Sequence, residues 1–135
     1  MQYPTSACLL QAWESAVSER SVRRPISWLS YAFGWQRPDL ENLSLGERER
    51  LILQARCLLF GSTMIGLVEC PFCGEAIECE IPVRALLEVP RSPVTPIPVK
   101  GVGFDLDVRM ITAGDIEAAS AADNIREQLF KRCVL

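Results

Sequence analysis

A Cys-Pro-Phe-Cys-Gly segment, Cys70–Gly74, most constrains the fold of this chain, because extended sequence lies on both sides of it. The run that follows, residues 76–83, alternates strictly, with apolar side chains at every second position and Glu78 and Glu80 between them. This is the period of a β-strand, and the run over residues 64–70 is also extended. The pattern predicts a β-hairpin with the two cysteines at its tip, which excludes an all-helical protein.

Three helices are predicted before this hairpin, where apolar residues recur every three or four positions. The first covers residues 6–19, with Ser6 as its N-cap. Its apolar face comprises Leu9, Leu10, Trp13, Ala16 and Val17. The second helix has Pro25 in its first turn and ends at Gly34.

The third helix should begin near Leu45, because Ser44 and Glu47 have the spacing of a capping box. It is expected to stop at Gly61, since glycine commonly follows the last residue of a helix. Residues 38–42, which include a proline and two turn-forming polar residues, are predicted to form a loop between the second and third helices.

Shorter elements are predicted after the first hairpin. A helical turn covers residues 84–87, and four prolines make residues 90–98 an extended link. A second hairpin turns around Gly101, and short helices follow Thr112 and Asp123. The last helix is expected to bury Ile125, Leu129, Phe130 and Cys133.

Together these elements predict an α+β fold with an N-terminal helical lobe, a central zinc-ribbon-like β-hairpin, a second β-hairpin and C-terminal helices. The expected boundaries are 1–61 for the helical lobe, 62–89 for the first hairpin, 90–98 for the proline-rich link and 99–135 for the remainder. With 135 residues, of which 49% are hydrophobic, the chain is expected to form one compact domain and not a disordered one.

Histidine is absent from the chain, which removes the commonest general base and the commonest metal ligand. A metal site must therefore use thiolate or carboxylate ligands, and we expect no enzyme. The net charge of −3 argues against a nucleic-acid-binding face. Because no export signal and no apolar run of about 18–20 residues is present, we expect a cytoplasmic chain with reduced thiols.

Cys70 and Cys73 can bind one tetrahedral zinc ion, with Zn–S bonds of about 2.3 Å. Pro71 occupies a position whose amide would be unused, and Gly74 accepts the positive φ that such a turn requires. Two interpretations compete with this zinc knuckle: a thiol–disulfide redox pair, and two cysteines without a metal. A redox pair of the thioredoxin type needs a helix after it to lower the thiol pKa, whereas a strand is predicted there.

The pair provides only half of a zinc site, so further ligands are needed. Cys79 in the returning strand and Cys133 in the last helix are the candidates. Burial in the core explains Cys79 equally well. Cys8 and Cys57 are expected to be core residues of helices, since free cysteine is among the most buried residue types.

Three stretches of the chain carry a family resemblance. They are the helix end and cysteine turn over residues 58–75, the strand and short helix over residues 77–87 with the proline-rich link, and the final residues 125–135. Their order resembles the baseplate hub assembly chaperones of T-even-type contractile phage tails and bacterial contractile injection systems. The likeness covers most of the chain through short, mainly apolar motifs.

The resemblance implies a non-enzymatic role, in which the chain helps hub and central spike proteins of a baseplate to assemble. It implies zinc-knuckle ligands at Cys70 and Cys73, with Cys133 as a weaker candidate. Longer relatives continue to a second Cys-Pro-x-Cys-Gly element, whereas this sequence stops at Leu135. The chain would then have lost the metal, or would complete its site from Cys79, from Cys133 or from a partner chain, as in a dimer that shares four cysteines.

The sequence thus predicts an assembly factor or a minor baseplate component that binds hub or spike proteins, and neither nucleic acid nor membrane. It would be made in the cytoplasm, with incorporation into the finished particle left open. Its contacts are expected on the apolar face of the last helix, including Cys133–Leu135, and on the exposed sides of the hairpins. A zinc-ribbon adaptor of a transcription or RNA machine and a Cys-x-x-Cys thiol oxidoreductase are the alternatives.

Overall fold

A computed structural model describes residues 2–90 and 96–135 of the chain and has an α+β architecture, as the sequence predicts. In chain order its elements are α1 (Ser6–Ser18), α2 (Arg24–Phe33), α3 (Arg37–Asn42), α4 (Leu45–Phe60), β1 (Thr63–Glu69), β2 (Ala76–Pro82), α5 (Val83–Glu88), β3 (Ile97–Gly101), β4 (Phe104–Val108), α6 (Ala113–Ser120) and α7 (Ile125–Cys133). The strands form two antiparallel hairpins, β1–β2 and β3–β4.

The chain divides into two compact units. The described residues of 1–49 and 91–135 form the first unit, and residues 50–90 form the second. The boundary falls within α4, so the helical lobe predicted over residues 1–61 contributes to both units. None of the helices in the described part of the chain has the length and apolar character needed to cross a membrane.

Helix α1 packs against α2. Ala12 and Ala16 are buried, which lets the two helices approach closely. The larger residues Leu10, Trp13 and Val17 are exposed. The sequence-based prediction of the buried face was therefore wrong for these three residues, because the helix uses its alanine stripe for packing.

Local side-chain chemistry fixes the ends of the first two helices. Thr5 Oγ1 accepts the backbone N–H of Cys8 at 3.2 Å, so Thr5 is the N-cap in place of the predicted Ser6. Pro25 lies in the first turn of α2, as predicted, and Gly34 ends the helix with a left-handed φ of 69°.

Residues 38–42 form most of helix α3, so the prediction of a loop there was wrong. Pro38 lies in the first turn, where its fixed φ favours a helix and its missing N–H removes no hydrogen bond. The proline therefore favours the first turn of a helix at this position and does not interrupt one. The helix buries Leu40.

The capping box at the start of α4 is confirmed. Ser44 Oγ accepts the N–H of Glu47 at 3.3 Å, and Glu47 Oε2 accepts the N–H of Ser44 at 3.1 Å. Gly61 follows the last turn with a φ of 85°. The helix buries Ala55, and its apolar residues Leu51, Ile52, Leu58 and Leu59 are half-buried.

The second hairpin is extended by the end of the chain. Its turn is at Val102-Gly103, just after the predicted Gly101, because Gly101 pairs with Phe104. Val134 forms a bridge with Val108 on β4, and the N–H of Leu135 donates to a backbone carbonyl of the same strand at 2.8 Å. Part of the predicted proline-rich link, residues 91–95, lies outside the described residues.

Asp115 joins the C-terminal elements of the first unit. Its carboxylate, 1% exposed, accepts hydrogen bonds from Arg109 Nη1 and Nη2 at 2.6 and 2.8 Å and from Arg132 Nε at 2.9 Å. It also accepts the N–H of Thr112 in the capping box of α6. Because Arg109 and the other donors stabilise the charged form, the pKa of this carboxyl lies well below its ordinary value.

Helix α7 buries Cys133, as predicted, and half-buries Leu129. Ile125 and Phe130, which were also expected in the core, are exposed. Arg132, in the last turn of this nine-residue helix, instead directs its guanidinium at Asp115. The prediction was wrong for the two exposed residues because a polar network occupies part of this helix interface.

Candidate binding hairpin

The β1–β2 hairpin is held at its base by residues that flank the strands. The guanidinium of Arg56 on α4 donates to the carbonyls of Gly61 and Thr63 at 2.6 and 2.5 Å. Next to the end of β2, the N–H of Val83 donates to the carbonyl of Ser62, just before β1, at 2.8 Å. These contacts fix where the two strands begin and end, so that the turn projects at the opposite end.

The strands pair in register from Thr63↔Pro82 to Glu69↔Ala76, which confirms the predicted hairpin. At the tip, the N–H of Cys70 donates to the carbonyl of Glu75 at 2.8 Å, and the N–H of Gly74 donates to the carbonyl of Cys70 at 2.9 Å. Gly74 has a φ of 73°, the left-handed conformation predicted for it. The turn is therefore closed by backbone bonds that leave both thiols outside the ladder.

The two thiols of the turn have unequal surroundings. Cys70 is half-buried and Cys73 is exposed. The backbone N–H groups of Phe72 and Cys73, followed by the Cys73 thiol, donate to the sulfur of Cys70 and lower its pKa. Strand β2 follows the turn, so backbone amides of the turn and not the start of a helix stabilise this thiolate.

This donor set fits half of a soft-metal site. Two thiols that contact one another, with amides directed at one sulfur, provide the ligand type that zinc prefers. No group of three or more histidine, cysteine, aspartate or glutamate side chains that could hold a metal ion occurs among residues 2–90 and 96–135. The pair therefore needs ligands from elsewhere to reach four-fold coordination.

The two other predicted ligands lie in other elements of the chain, Cys79 in β2 and Cys133 in α7. Cys79 pairs with Gly66, three register positions from the Glu69↔Ala76 pair that borders the turn, or about 10 Å along the strand. Cys133 is buried in the first unit, where burial is the main cause of a raised thiol pKa. The structure brings neither residue into a metal-binding group with Cys70 and Cys73, and their roles as ligands stay predictions.

The two remaining cysteines lie on helices, as the sequence predicts. Cys8 is in α1, where its sulfur accepts the hydroxyl of Thr5 at 3.1 Å. Cys57 is in α4, and both residues are half-buried. All six cysteines are free thiols.

Both faces of the hairpin expose apolar side chains. On one face Ile65 and Leu67 are 69% and 74% exposed and lie opposite glutamates of β2. On the other face Val68 lies opposite Ile77, and both are exposed. Phe72 at the tip is 97% exposed. The hairpin thus presents more apolar surface than a two-stranded element normally leaves in water.

The charges of the hairpin have a single sign. Between residues 62 and 83 the charged side chains are all acidic, and each of them is exposed. They are Glu69, Glu75, Glu78 and Glu80. An apolar surface interspersed with acidic side chains favours a partner surface that is apolar with a basic border.

Ile65, Leu67 and Phe72 were not predicted individually as surface residues. A signal was present in β1, where Met64, Ile65, Leu67 and Val68 leave few polar positions. Because successive strand residues point to opposite faces, such a run places apolar side chains on both faces of a hairpin. A strand covered on one face only would alternate apolar and polar residues.

Comparison with known proteins gives no assignment. No family model matches the chain, and neither a curated protein sequence nor a solved structure matches it significantly.

Proposed function

We propose that this chain is a non-enzymatic assembly factor or minor structural component of a contractile, phage-like baseplate, and that it binds hub or spike proteins. The observation that carries the protein-binding role is the exposure of Ile65, Leu67 and Phe72 on a hairpin whose charges are all negative. The baseplate assignment rests on the resemblance carried by the cysteine turn and its flanking elements.

The exposed side chains of the hairpin supply the driving force for binding. Burial of one Leu or Ile side chain is worth about 1.5–3 kcal/mol relative to full exposure. Leu67 and Ile65 are neighbours on one face, and Phe72 extends the apolar surface at the tip. Large, centrally buried apolar and aromatic residues commonly dominate the binding energy of an interface. A partner that covers this face would therefore gain most from these three residues.

The acidic residues of the hairpin define the partner's chemistry. Glu78 lies directly opposite Leu67, and Glu80 lies directly opposite Ile65. A partner surface that covers the apolar pair must therefore also accommodate two carboxylates. Arginine or lysine at the border of the partner's apolar surface would do so, and would also speed association at low salt.

Binding to purified hub and spike proteins of a contractile particle from the same source genome tests this proposal. Titration calorimetry should give a saturable affinity that weakens as salt is raised. Leu67→Lys should weaken binding about tenfold or more, because it places a charge in the contact. Val102→Lys is the matched control, since Val102 is a fully exposed apolar residue in the turn of the other hairpin.

Two outcomes would contradict the proposal. Failure of every hub and spike protein to bind would remove the baseplate assignment. Equal affinities for the Leu67→Lys and Val102→Lys variants would remove the hairpin as the contact surface.

A further inference from the structure

The tip of the β1–β2 hairpin carries two cysteines within one turn. Cys70 and Cys73 lie in one turn, which is closed by hydrogen bonds from the N–H of Cys70 to the carbonyl of Glu75 at 2.8 Å and from the N–H of Gly74 to the carbonyl of Cys70 at 2.9 Å. Gly74 holds the left-handed conformation that this turn requires. The turn places two thiols at the end of the hairpin, where Cys73 is exposed and Cys70 is half-buried.

The missing ligands cannot be histidines of this chain, because it has none. Zinc in structural sites is almost always bound by four ligands, and Cys70 and Cys73 supply two. Within the described residues, no third cysteine, aspartate or glutamate joins them in a group that could hold a metal. A second copy of the chain can supply two further ligands of the same type.

We propose that two copies of this chain bind one zinc ion between their hairpin tips, each copy supplying Cys70 and Cys73. A two-fold axis through the metal would turn one incomplete pair into a site of four thiolates without any new residue type. The tip is accessible for this contact, since Cys73 is exposed and Phe72 is 97% exposed. The inference does not depend on the proposed baseplate role.

The carboxylates beside the turn should weaken the zinc-linked dimer by charge repulsion. A zinc ion with four thiolates carries a net charge of −2, and each copy adds Glu69 and Glu75 next to the turn. Neutralising one of these carboxylates should therefore tighten the zinc-linked dimer. Glu75→Gln is suited to this, because Glu75 contributes its backbone carbonyl to the turn and that group is retained.

The test is zinc titration of the reduced 135-residue chain, followed by metal analysis and by molar mass from light scattering. We expect about one zinc ion per two chains, a doubling of molar mass on zinc addition, and reversal by a chelator. Cobalt(II) in place of zinc should show the absorption of a tetrahedral four-thiolate site. Glu75→Gln should lower the zinc concentration needed for dimer formation, whereas Glu47→Gln, a change outside the hairpin, should not.

Cys70→Ser and Cys73→Ser should each abolish the zinc-linked dimer, and Cys79→Ser should retain it. If a serine variant does not fold, alkylation of the unaltered protein gives the same information, since zinc should protect Cys70 and Cys73 but not Cys79. One zinc ion per monomer, no zinc binding, or a dimer that forms equally with and without zinc would overturn the proposal.

Discussion

Arg109 and Asp115 form a bidentate ion pair, in which both terminal nitrogens of the arginine donate to the two carboxylate oxygens at 2.6 and 2.8 Å. Asp115 is 1% exposed, and Arg132 on α7 adds a third donor. The pair therefore links the residue after β4 to the first turn of α6 and to the last turn of α7. Because Asp115 also caps α6 with Thr112, a single buried carboxylate organises the C-terminal part of the first unit.

Replacement of Asp115 by asparagine should destabilise the protein strongly. Loss of the charge leaves two arginines without their partner, and breaking a buried pair typically costs about 3–5 kcal/mol. Since Arg109 and Arg132 keep some contact with water, we expect the lower end of that range. Denaturant unfolding measures the change. Asp105→Asn is the matched control, because its pair with Lys100 is exposed and should be worth less than about 1 kcal/mol.

Equal losses of unfolding free energy in the Asp115 and Asp105 variants would contradict this role for the network.

The Asp115 carboxylate should also make the stability of the fold sensitive to acid. The folded pKa of Asp115 is depressed below its ordinary value of 3.8, so its contribution to stability is complete above that value. The contribution is lost as pH falls from there toward the folded pKa, because the unfolded state binds the proton first. Unfolding free energy, measured over a series of pH values from about 6 to about 2, should decline in this window.

Asp115→Asn should flatten that decline, and Asp105→Asn should leave it nearly unchanged. A slope in the Asp115→Asn protein as steep as in the unaltered chain would assign the acid sensitivity to other carboxylates.

The glycine of the cysteine turn should be indispensable for the shape of the tip. Gly74 has a φ of 73°, and a side chain in this conformation costs about 1 kcal/mol or more. Gly74→Ala should therefore weaken zinc-linked dimer formation measurably. Gly66→Ala on β1 is the control, since its added Cβ meets the nearest atom, Ile81 Cδ1, at an ordinary 3.9 Å.

Light scattering over a zinc titration compares the two glycine variants. If Gly74→Ala and Gly66→Ala form the dimer at the same zinc concentration, the left-handed turn is not required for metal binding.

Removal of the last six residues should disrupt the first unit rather than a binding surface. The segment 130–135 contains Arg132 of the Asp115 network and the residues that bond to β4. A truncated chain should therefore lose cooperative thermal unfolding, whereas Phe130→Lys should keep it because Phe130 is exposed. Circular dichroism during heating distinguishes them, and a truncated chain as stable as the full one would contradict the role of the chain end.

The local elements of this fold could be predicted from sequence because their signals are short-range. The alternation of apolar and polar residues after the Cys-Pro-Phe-Cys-Gly turn specifies the β1–β2 hairpin. The spacing of Ser44 and Glu47 specifies the start of α4. These signals involve residues a few positions apart, so no knowledge of the tertiary structure is needed.

The wrong predictions concern features that depend on tertiary packing. Helix α1 carries both an alanine stripe and a stripe of larger apolar residues, and sequence periodicity cannot tell which one packs on α2. The contact between Arg109, Asp115 and Arg132 joins residues up to 23 positions apart, which no local pattern specifies. The same holds for the metal site, where the spacing of Cys70 and Cys73 predicts a ligand pair but not the source of its remaining ligands.

We propose that the chain binds a hub or spike protein through the β1–β2 hairpin. Hydrogen–deuterium exchange of the chain with and without that protein, in the presence of a chelator to prevent the zinc-linked dimer, tests it most directly. We predict slower exchange of backbone amides over residues 63–82 on binding, with β3–β4 unchanged. Protection confined to α7 or β3–β4, with the first hairpin exchanging as fast as in the free chain, would contradict it.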